Sequence, residues 1–258
     1  MDFFDLFKSN KKGQEKNQKT NNQNTKLELK LEAGKEHIFN LIIVDESGSM
    51  SSIREATITG VNETINTVRE AQKQFGDKQQ HFLTLVTFDT SGIKAVRTLV
   101  NCMPIDEVNE FTNYRPSGCT PLYDAVGLSV TYLDNLIKDD PDASGIVTIL
   151  TDGLENASHQ FSFTMIKELI DSLKEKGWTF NYIGSDHDVE AVAHGLNIDN
   201  VMRFIHDNTG TRDCWEKEKT ARFRVFRKKS LDWDEVCNAS PEEKIERKKR
   251  QSKGIFDA

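Results

Sequence analysis

The 258-residue chain is 36% hydrophobic and 29% charged, with a net charge of −7. The charge is unevenly spread, since residues 37–211 carry 25 acidic and 12 basic side chains, whereas both ends are mildly basic. An acidic centre repels nucleic acid and anionic lipid and suits cations and basic partners. No apolar run approaches the ~18 residues of a membrane helix, no secretory signal is seen, and the four cysteines show no metal-site spacing. We therefore expect a cytoplasmic protein with reduced thiols, no nucleic-acid partner and no membrane attachment.

Residues 1–36 are predicted to be a disordered tail with a short apolar tip. Residues 8–26 consist almost entirely of Lys, Asn, Gln and Thr, and such a segment cannot bury enough apolar surface to offset the entropy of ordering. The tip, Met1–Phe7, has the sequence MDFFDLF and could present one apolar face of a helical turn. Two hypotheses fit the tip: it packs on its own domain, or it docks in a groove of a second protein.

From His37 onward, strands alternate with amphipathic helices. Six strands are predicted, at His37–Val44, His81–Phe88, Ile93–Val100, Ile146–Leu150, Trp178–Ile183 and Asn200–Ile205. Helices are predicted at Ser52–Phe75, Pro121–Ile137, Phe163–Lys176, Val189–Gly195 and from Asn208 to about Lys229. The alternation predicts an α/β fold with a doubly wound, mostly parallel sheet, and the tight turn at 90–92 predicts one antiparallel edge strand. We expect the charged segment Pro241–Ala258 to fray.

Oxygen-bearing side chains gather at the ends of predicted strands and in the loop before a helix. In open α/β sheets, ligands bind beyond the carboxyl ends of the strands. The candidate ligands are two carboxylates and three hydroxyls, from Asp45, Ser47, Ser49, Thr120 and Asp152. This set fits a hard divalent cation, because Mg²⁺ prefers six oxygen ligands, usually one or two carboxylates with several waters. Extended residues two apart point the same way, so the first three ligands should converge while Glu46 points elsewhere.

Three segments, DESGSM at 45–50, GCTPLYDA at 118–125 and ILTDGLEN at 149–156, resemble in order and position the metal-site motifs of von Willebrand factor type A (vWA) domains. The resemblance covers about residues 37–208 and implies a Rossmann-like vWA fold with a metal-ion-dependent adhesion site. By motif match it assigns the metal ligands to Asp45, Ser47, Ser49, Thr120 and Asp152. Glu46 stands where the family often has a small or hydroxyl residue, which adds negative charge near the site.

The predicted organisation is a tail at 1–36, a vWA domain at 37–211, and a helical extension with a basic, charged tail at 212–258. The resemblance implies a stand-alone bacterial, cytoplasmic interaction module that is not an enzyme. In such a module Mg²⁺, or Mn²⁺ or Ca²⁺ in its place, binds an Asp or Glu of a protein partner, and the tails could dock a second protein.

Two other functions remain open from the residues alone. One is a metal-dependent hydrolase or phosphotransferase on the same fold, which needs a nucleophile or base beside the ion. An aspartyl-phosphate enzyme favours a second carboxylate two residues after the first, where this chain has Ser47, which argues against it. The other is a purely structural scaffold with a vestigial site.

Three further groups have alternative interpretations. Asp124 and Glu155 flank the motifs and either support the ligands or are solvated and cap helices, of which the second is favoured. The Asp-His-Asp segment at 186–188 forms either a second cation site or, as favoured, a polar capping loop. The basic run Lys244–Arg250 either contacts nucleic acid or acidic protein or, as favoured, is a solvated helix end, because acidic residues intersperse it.

Overall fold

The computed structural model describes residues 29–256 except 186–188 and 205–206. Within this range the strands are β1 (Glu36–Asp45), β2 (Gln79–Phe88), β3 (Val96–Pro104), β4 (Ala143–Thr151), β5 (Thr179–Ser185) and β6 (Asn200–Phe204). The α-helices are α1 (Arg54–Phe75), α2 (Leu122–Ile137), α3 (Phe163–Glu175), α4 (Val189–Gly195), α5 (Asn208–Val236) and α6 (Pro241–Gln251). Short 3₁₀ helices lie at Gly48–Ile53 and Ile105–Glu107. Most of the predicted tail, with its Met1–Phe7 tip, and the 186–188 segment lie outside the described residues.

The six strands form one sheet in the order β3-β2-β1-β4-β5-β6. All neighbouring strands are parallel except β2 and β3, which are antiparallel. β3 begins at Val96 rather than at Ile93, because Asp89 N donates to Ala95 O and closes a longer turn than predicted. The structure thus confirms the predicted α/β fold, with a mostly parallel sheet and one antiparallel edge strand. None of the helices in the described part of the chain combines the length and apolar character that crossing a membrane requires.

The centre of the sheet is buried on both faces. All ten residues of β1 are buried, and because side chains alternate along a strand they enter two separate cores. Phe39 and Leu41 pack on the face that carries α2 and α3. Ile38 and Ile42 pack on the other face, with α1 and α5. The two cores fix β1 in place, and its C-terminal end therefore provides a rigid base for the loop that follows.

Helix α5 covers its face of the sheet with a buried ion pair as well as with apolar side chains. Arg222 is 4% exposed and forms an ion pair of 2.5 Å with Glu218, one turn earlier in the helix. The same guanidinium donates to Asn40 Oδ1 in β1 at 3.2 Å and to Thr148 Oγ1 in β4 at 2.6 Å. These bonds join the helix to both central strands, and the helix continues past the predicted end to Val236.

The expectation that the charged C-terminal segment frays is wrong for α6. Ser240 and Glu243 form a capping box at its start, which satisfies backbone amides of the first turn. Lys248 is 8% exposed, and its Nζ donates to the carbonyl oxygens of Pro141 and Ala143 at 2.9 and 2.6 Å. These carbonyls lie just before β4 and at its first residue, so part of the basic run is buried structure rather than a solvated helix end.

Buried His81 should make the stability of the fold depend on pH. Burial lowers the pKa of His81 to about 3, with further effects from the charges of Glu36, Lys229 and Arg222. The unfolded chain protonates this imidazole below pH ~6.5 and the folded chain does not, so the free energy of unfolding falls as the pH drops from 6.5 towards 3.

Between pH 7.5 and 5 we therefore expect the unaltered protein to lose about 2 kcal/mol more stability than His81→Gln. Urea unfolding of both proteins at each pH measures this difference, because the carboxylates that also titrate are common to the two. Parallel stability curves over this range would contradict the prediction.

Candidate metal centre

The predicted metal ligands lie at one edge of the sheet. β1 ends at Asp45, β4 ends at Thr151 directly before Asp152, and α2 begins two residues after Thr120. β1 and β4 are parallel neighbours, so their carboxyl ends meet. Thr151 Oγ1 donates to Asp45 Oδ2 at 2.6 Å and joins the two strand ends directly.

The first loop turns sharply after β1. Ser47 N donates to Asp45 Oδ1 at 2.7 Å, and a 3₁₀ helix follows from Gly48. This turn, rather than the extended alternation predicted from the sequence, brings Ser49 back towards Ser47, with the two hydroxyl oxygens 3.2 Å apart. Ser47 precedes the helix without forming a side-chain cap, so its hydroxyl is not engaged at that helix start.

The other two ligands lie against this loop. Ser49 Oγ donates to Asp152 Oδ1 at 2.7 Å, although the two residues are 103 positions apart in the chain. A Cβ built on Gly153 would lie 3.6 Å from Thr120 Oγ1 and 3.9 Å from Ser49 Oγ. The hydroxyl of Thr120 therefore shares the neighbourhood of Gly153 with that of Ser49. All five predicted ligands are brought together from three separate segments of the chain.

The two carboxylates of the site are buried, and only one ligand opens to solvent. Asp45 is 0% exposed and Asp152 is 7% exposed, whereas Ser49 is exposed. Burial raises the pKa of Asp45 to about 6, and the nearby charge of Asp152 acts in the same direction, against bonds from Thr151 and Ser47 that lower it. Two buried carboxylates of like charge are stabilised by a cation between them.

The donor chemistry fits a hard divalent cation. Nowhere among the described residues, including this edge, does a group of three or more His, Cys, Asp or Glu side chains have the geometry to hold a metal. A metal at this edge must use hydroxyl ligands together with the two carboxylates. Oxygen-only ligands favour Mg²⁺, Mn²⁺ or Ca²⁺ over softer ions.

The sequence suggested that Glu46 adds an unbalanced negative charge beside the site. In the structure this charge is balanced. Arg97 Nη2 donates to Glu46 Oε2 at 2.6 Å and also pairs with Asp89 at the end of β2. The other oxygen of Glu46 accepts the backbone amide of Arg115. Glu46 thus ties the first loop to the edge strand β3 and to the segment before the second loop.

Replacing Arg97 should destabilise the fold around the first loop. Arg97→Met leaves Glu46 and Asp89 buried without a cation, so we expect a loss on the order of 2 kcal/mol. This is below the ~3–5 kcal/mol of a fully buried pair, because the Arg97 side chain is about one-third exposed. Guanidinium unfolding measures the loss, and adding Glu46→Gln to Arg97→Met should restore part of it. No loss in the single variant would mean that the two carboxylates are solvated.

Backbone bonds hold the first and second loops together. Gly48 N donates to Gly118 O at 3.1 Å, and Ser117 N donates to Glu46 O at 2.8 Å. Gly118 has a φ of +72°, and a Cβ there would lie 2.8 Å from Thr90 Oγ1. Glycine is therefore required at 118 for both the backbone conformation and the close approach of the loop after β2.

Asp124 and Glu155 hold the third loop against α2. Asp124 is buried and accepts the backbone amides of residues 159–161 at 2.8–2.9 Å. Glu155 accepts the amide of Tyr123 at 2.9 Å, and so caps the first turn of α2. Neither carboxylate bonds directly to a predicted ligand, but both fix the loop that carries Asp152.

Three residues that the sequence did not single out position the ligands. Thr151 orients Asp45, as described above, and Asn156 Oδ1 accepts the amide of Thr120 at 2.8 Å. Tyr114 is fully buried, and its hydroxyl donates to the Asp45 carbonyl oxygen at 2.5 Å. Thr151 and Asn156 flank Asp152 within one motif and could have been suspected. Tyr114 lies 69 positions from Asp45 and carries no local signal.

No protein-family model and no curated protein matches the sequence. Solved structures do share its fold. The pilus adhesin SpaC from Lactobacillus rhamnosus GG, in an open conformation, aligns with a TM-score of 0.56 and 13% identity, over 75% of this chain and 31% of the adhesin. The SpRpn10 VWA domain aligns with a TM-score of 0.50 and 10% identity, over 70% of this chain and 94% of that domain. This chain thus spans about a third of the length of the adhesin that it matches.

Sequence identities of 13% and 10% show a shared fold and nothing more. The alignment covers nearly the whole SpRpn10 VWA domain, and the sheet of this chain carries all three motif segments at the edge where they were predicted to meet. The chain therefore has the von Willebrand factor type A fold.

Proposed function

We propose that this chain is a metal-dependent protein-binding module. Its metal ligands are Asp45, Ser47, Ser49, Thr120 and Asp152, which hold Mg²⁺ or, in its place, Mn²⁺ or Ca²⁺. The observation that carries the proposal is the bond from Ser49 Oγ to Asp152 Oδ1, which closes the first and third loops around the buried carboxylate of Asp45.

A carboxylate of a protein partner is the ligand that this site suits. Two carboxylates balance the charge of one divalent ion, and hydroxyl ligands donate only weakly, so the ion retains affinity for an incoming anion. Ser49 is exposed beside the buried ligands, which leaves one side open to an Asp or Glu of a partner. The surrounding loops would supply specificity.

Metal binding is tested first, on the full chain. Calorimetric titration with MgCl₂ should show one bound ion, and Asp152→Asn should abolish the heat of binding. Asp106→Asn is the matched control, because Asp106 is exposed and lies beyond the end of β3 that is opposite to the metal edge. An unchanged titration in Asp152→Asn would overturn the assignment of the ligands.

Partner binding is tested separately by a pull-down with the tagged chain from native lysate, once in Mg²⁺ and once in EDTA. A protein retained in Mg²⁺ should be released by EDTA, and Asp45→Ala should fail to capture it. Retention in EDTA, or by Asp45→Ala, would overturn a metal-mediated contact.

We infer that the site performs no catalysis. Both oxygens of Asp45 accept hydrogen bonds, from Ser47 N and Thr151 Oγ1, an arrangement that suits a fixed ligand better than a nucleophile. A panel of phosphate esters with Mg²⁺ tests the alternative. Metal-dependent turnover that disappears in Asp45→Asn would establish a hydrolase or phosphotransferase instead.

The domain limits and the location belong to the same proposal. We propose a tail at 1–36, whose last residue begins β1, a metal-binding domain at 37–211, and a C-terminal extension at 212–258. The extension shares α5 with the domain and packs on it through α5 and α6. The four cysteines are all free, which supports a reducing compartment such as the cytoplasm.

A further inference from the structure

An apolar rim lies beside the proposed metal site. We define the rim as three exposed side chains: Leu154 (55% exposed), Phe163 (40%) and Met165 (47%). Leu154 follows Asp152 by two residues, and Phe163 and Met165 belong to the first turn of α3 at the end of the same loop. These three side chains lie at the two ends of the loop that follows Asp152, and apolar side chains left exposed beside a binding site can contact another segment of protein.

An aromatic contact places Phe163, one of the rim residues, at the start of α2. The ring of Phe163 lies 6.1 Å from that of Tyr123, measured between centroids. Tyr123 is three residues after Thr120, a proposed metal ligand. A segment that brought a carboxylate to the proposed metal would therefore pass close to the rings of Phe163 and Tyr123 on this side of the site. The rim selects a ligand whose acidic residue is flanked by apolar side chains.

The chain itself carries such a segment outside the described residues. Met1–Phe7 reads MDFFDLF, in which Asp2 and Asp5 stand among three phenylalanines and a leucine. We propose that this tip docks on the metal site of its own chain, with a carboxylate towards the ion and aromatic side chains on the rim. The inference rests on the proposed metal site, and it makes the tip an internal competitor of any partner carboxylate.

The charges of the chain favour this occupant. Residues 37–211 have 25 acidic and 12 basic side chains, so a free carboxylate approaches the site through a repulsive field. Directly after the tip, residues 8–26 contain six Lys and one Glu. This basic stretch is attracted to the acidic domain and offsets the repulsion felt by the tip. The attraction weakens as salt is added, because exposed charges are screened.

The tether is long enough for the tip to reach the site. Leu29 packs on the face of the sheet that carries α2 and α3, and the strand that follows, β1, begins at Glu36. The metal site lies at the other end of β1, about 33 Å away along ten residues. The 21 residues between the tip and Leu29 can span at most about 70 Å. A tether of this length keeps the tip at a local concentration of order millimolar.

Mn²⁺ at the metal site reports on the position of the tip. In the full chain, ¹⁵N NMR with Mn²⁺ should broaden the amide signals of Met1–Phe7 more than those of residues 18–22, relative to a Mg²⁺ reference. The broadening should be independent of protein concentration. Broadening that grows with concentration would assign the tip to the site of a second copy and overturn docking within one chain.

Matched variants separate docking from chance proximity. Asp2→Asn with Asp5→Asn should remove the broadening, whereas Glu15→Gln, in the tether, should leave it. Leu154→Ser with Met165→Ser should weaken it, and Leu231→Ser, an exposed leucine on α5, should not. Broadening that survives in Asp45→Asn would mean that Mn²⁺ binds the tip directly, and would overturn the inference.

Calorimetry on the same samples distinguishes the two levels of the proposal. Mn²⁺ binding without broadening of the tip overturns the docking and leaves the metal-binding function standing. An absence of Mn²⁺ binding overturns the proposed function, and the docking with it.

Discussion

Asp45→Asn should change the stability of the protein in opposite directions with and without metal. At a Mg²⁺ concentration of 100 times the Kd, binding at the proposed site should add about 2.7 kcal/mol to the folded state, and this should raise the Tm of the unaltered protein by about 5–10 °C. Asp45→Asn should lose this shift. Without metal the variant should be the more stable of the two, by on the order of 1–2 kcal/mol, because it replaces a desolvated carboxylate with a neutral group.

Thermal unfolding at fixed ionic strength, in EDTA and in Mg²⁺, measures both effects. Asparagine has the shape of aspartate and keeps an oxygen to accept from Ser47 N, so the turn after β1 should survive. Asp106→Asn, far from the site, should leave both Tm values unchanged. A Mg²⁺-induced shift of the same size in Asp45→Asn would remove Asp45 from the ligand set, and a lower Tm of this variant in EDTA would mean that its carboxylate stabilises the metal-free fold.

The mostly parallel sheet and the meeting of the three motifs at one edge followed from local patterns. β1 is a short apolar run that ends in the DESGS segment, and parallel strands must bring their carboxyl ends to one edge. Glu46 was placed correctly as pointing away from the ligands, because its side chain bonds to Arg97 instead. Its charge balance was not predictable, since Arg97 lies 51 positions away on a strand whose register the sequence does not specify.

The convergence of the serines was predicted for a reason that does not hold. Alternation along an extended chain was expected to align Asp45, Ser47 and Ser49, but a 3₁₀ helix begins at Gly48. The convergence comes from the bond between Ser47 N and the Asp45 carboxylate, which turns the chain. Residues that support the site across long separations, such as Tyr114, leave no periodic or motif signal, because their role depends on tertiary contacts alone.

The C-terminal helices differ most from the expectation. A run with many Lys and Arg residues suggested a solvated end, since charge composition gives no information about partners distant in sequence. In the structure, Lys229 forms a buried ion pair of 2.7 Å with Glu36 at the start of β1. Burial raises the pKa of Glu36, but the charge and hydrogen bond of Lys229 and the hydrogen bond of Ser144 outweigh it and hold that pKa below its usual value. Lys248 bonds to carbonyl oxygens before and within β4. Basic side chains of the extension thus satisfy acceptors at the end of the sheet opposite to the proposed metal site.

Breaking the buried ion pair of Glu218 and Arg222 should cause the second large change in stability. Arg222→Met should destabilise the protein by about 3–5 kcal/mol, because it leaves the Glu218 carboxylate, 1% exposed, without its cation. It also removes the donors to Asn40 and Thr148 that join α5 to the central strands. Urea unfolding at pH 7 measures the loss as a lower midpoint.

A double variant separates the cost of the stranded charge from that of the lost contacts. Glu218→Gln with Arg222→Met should recover more than half of the loss, because a buried neutral amide replaces a buried charge. The matched control is Lys167→Met, which breaks an exposed pair of the same i,i+4 spacing with Asp171 and should cost less than about 0.5 kcal/mol. If the double variant were as unstable as Arg222→Met, the bonds to the sheet, rather than the charge of Glu218, would account for the stability that α5 provides.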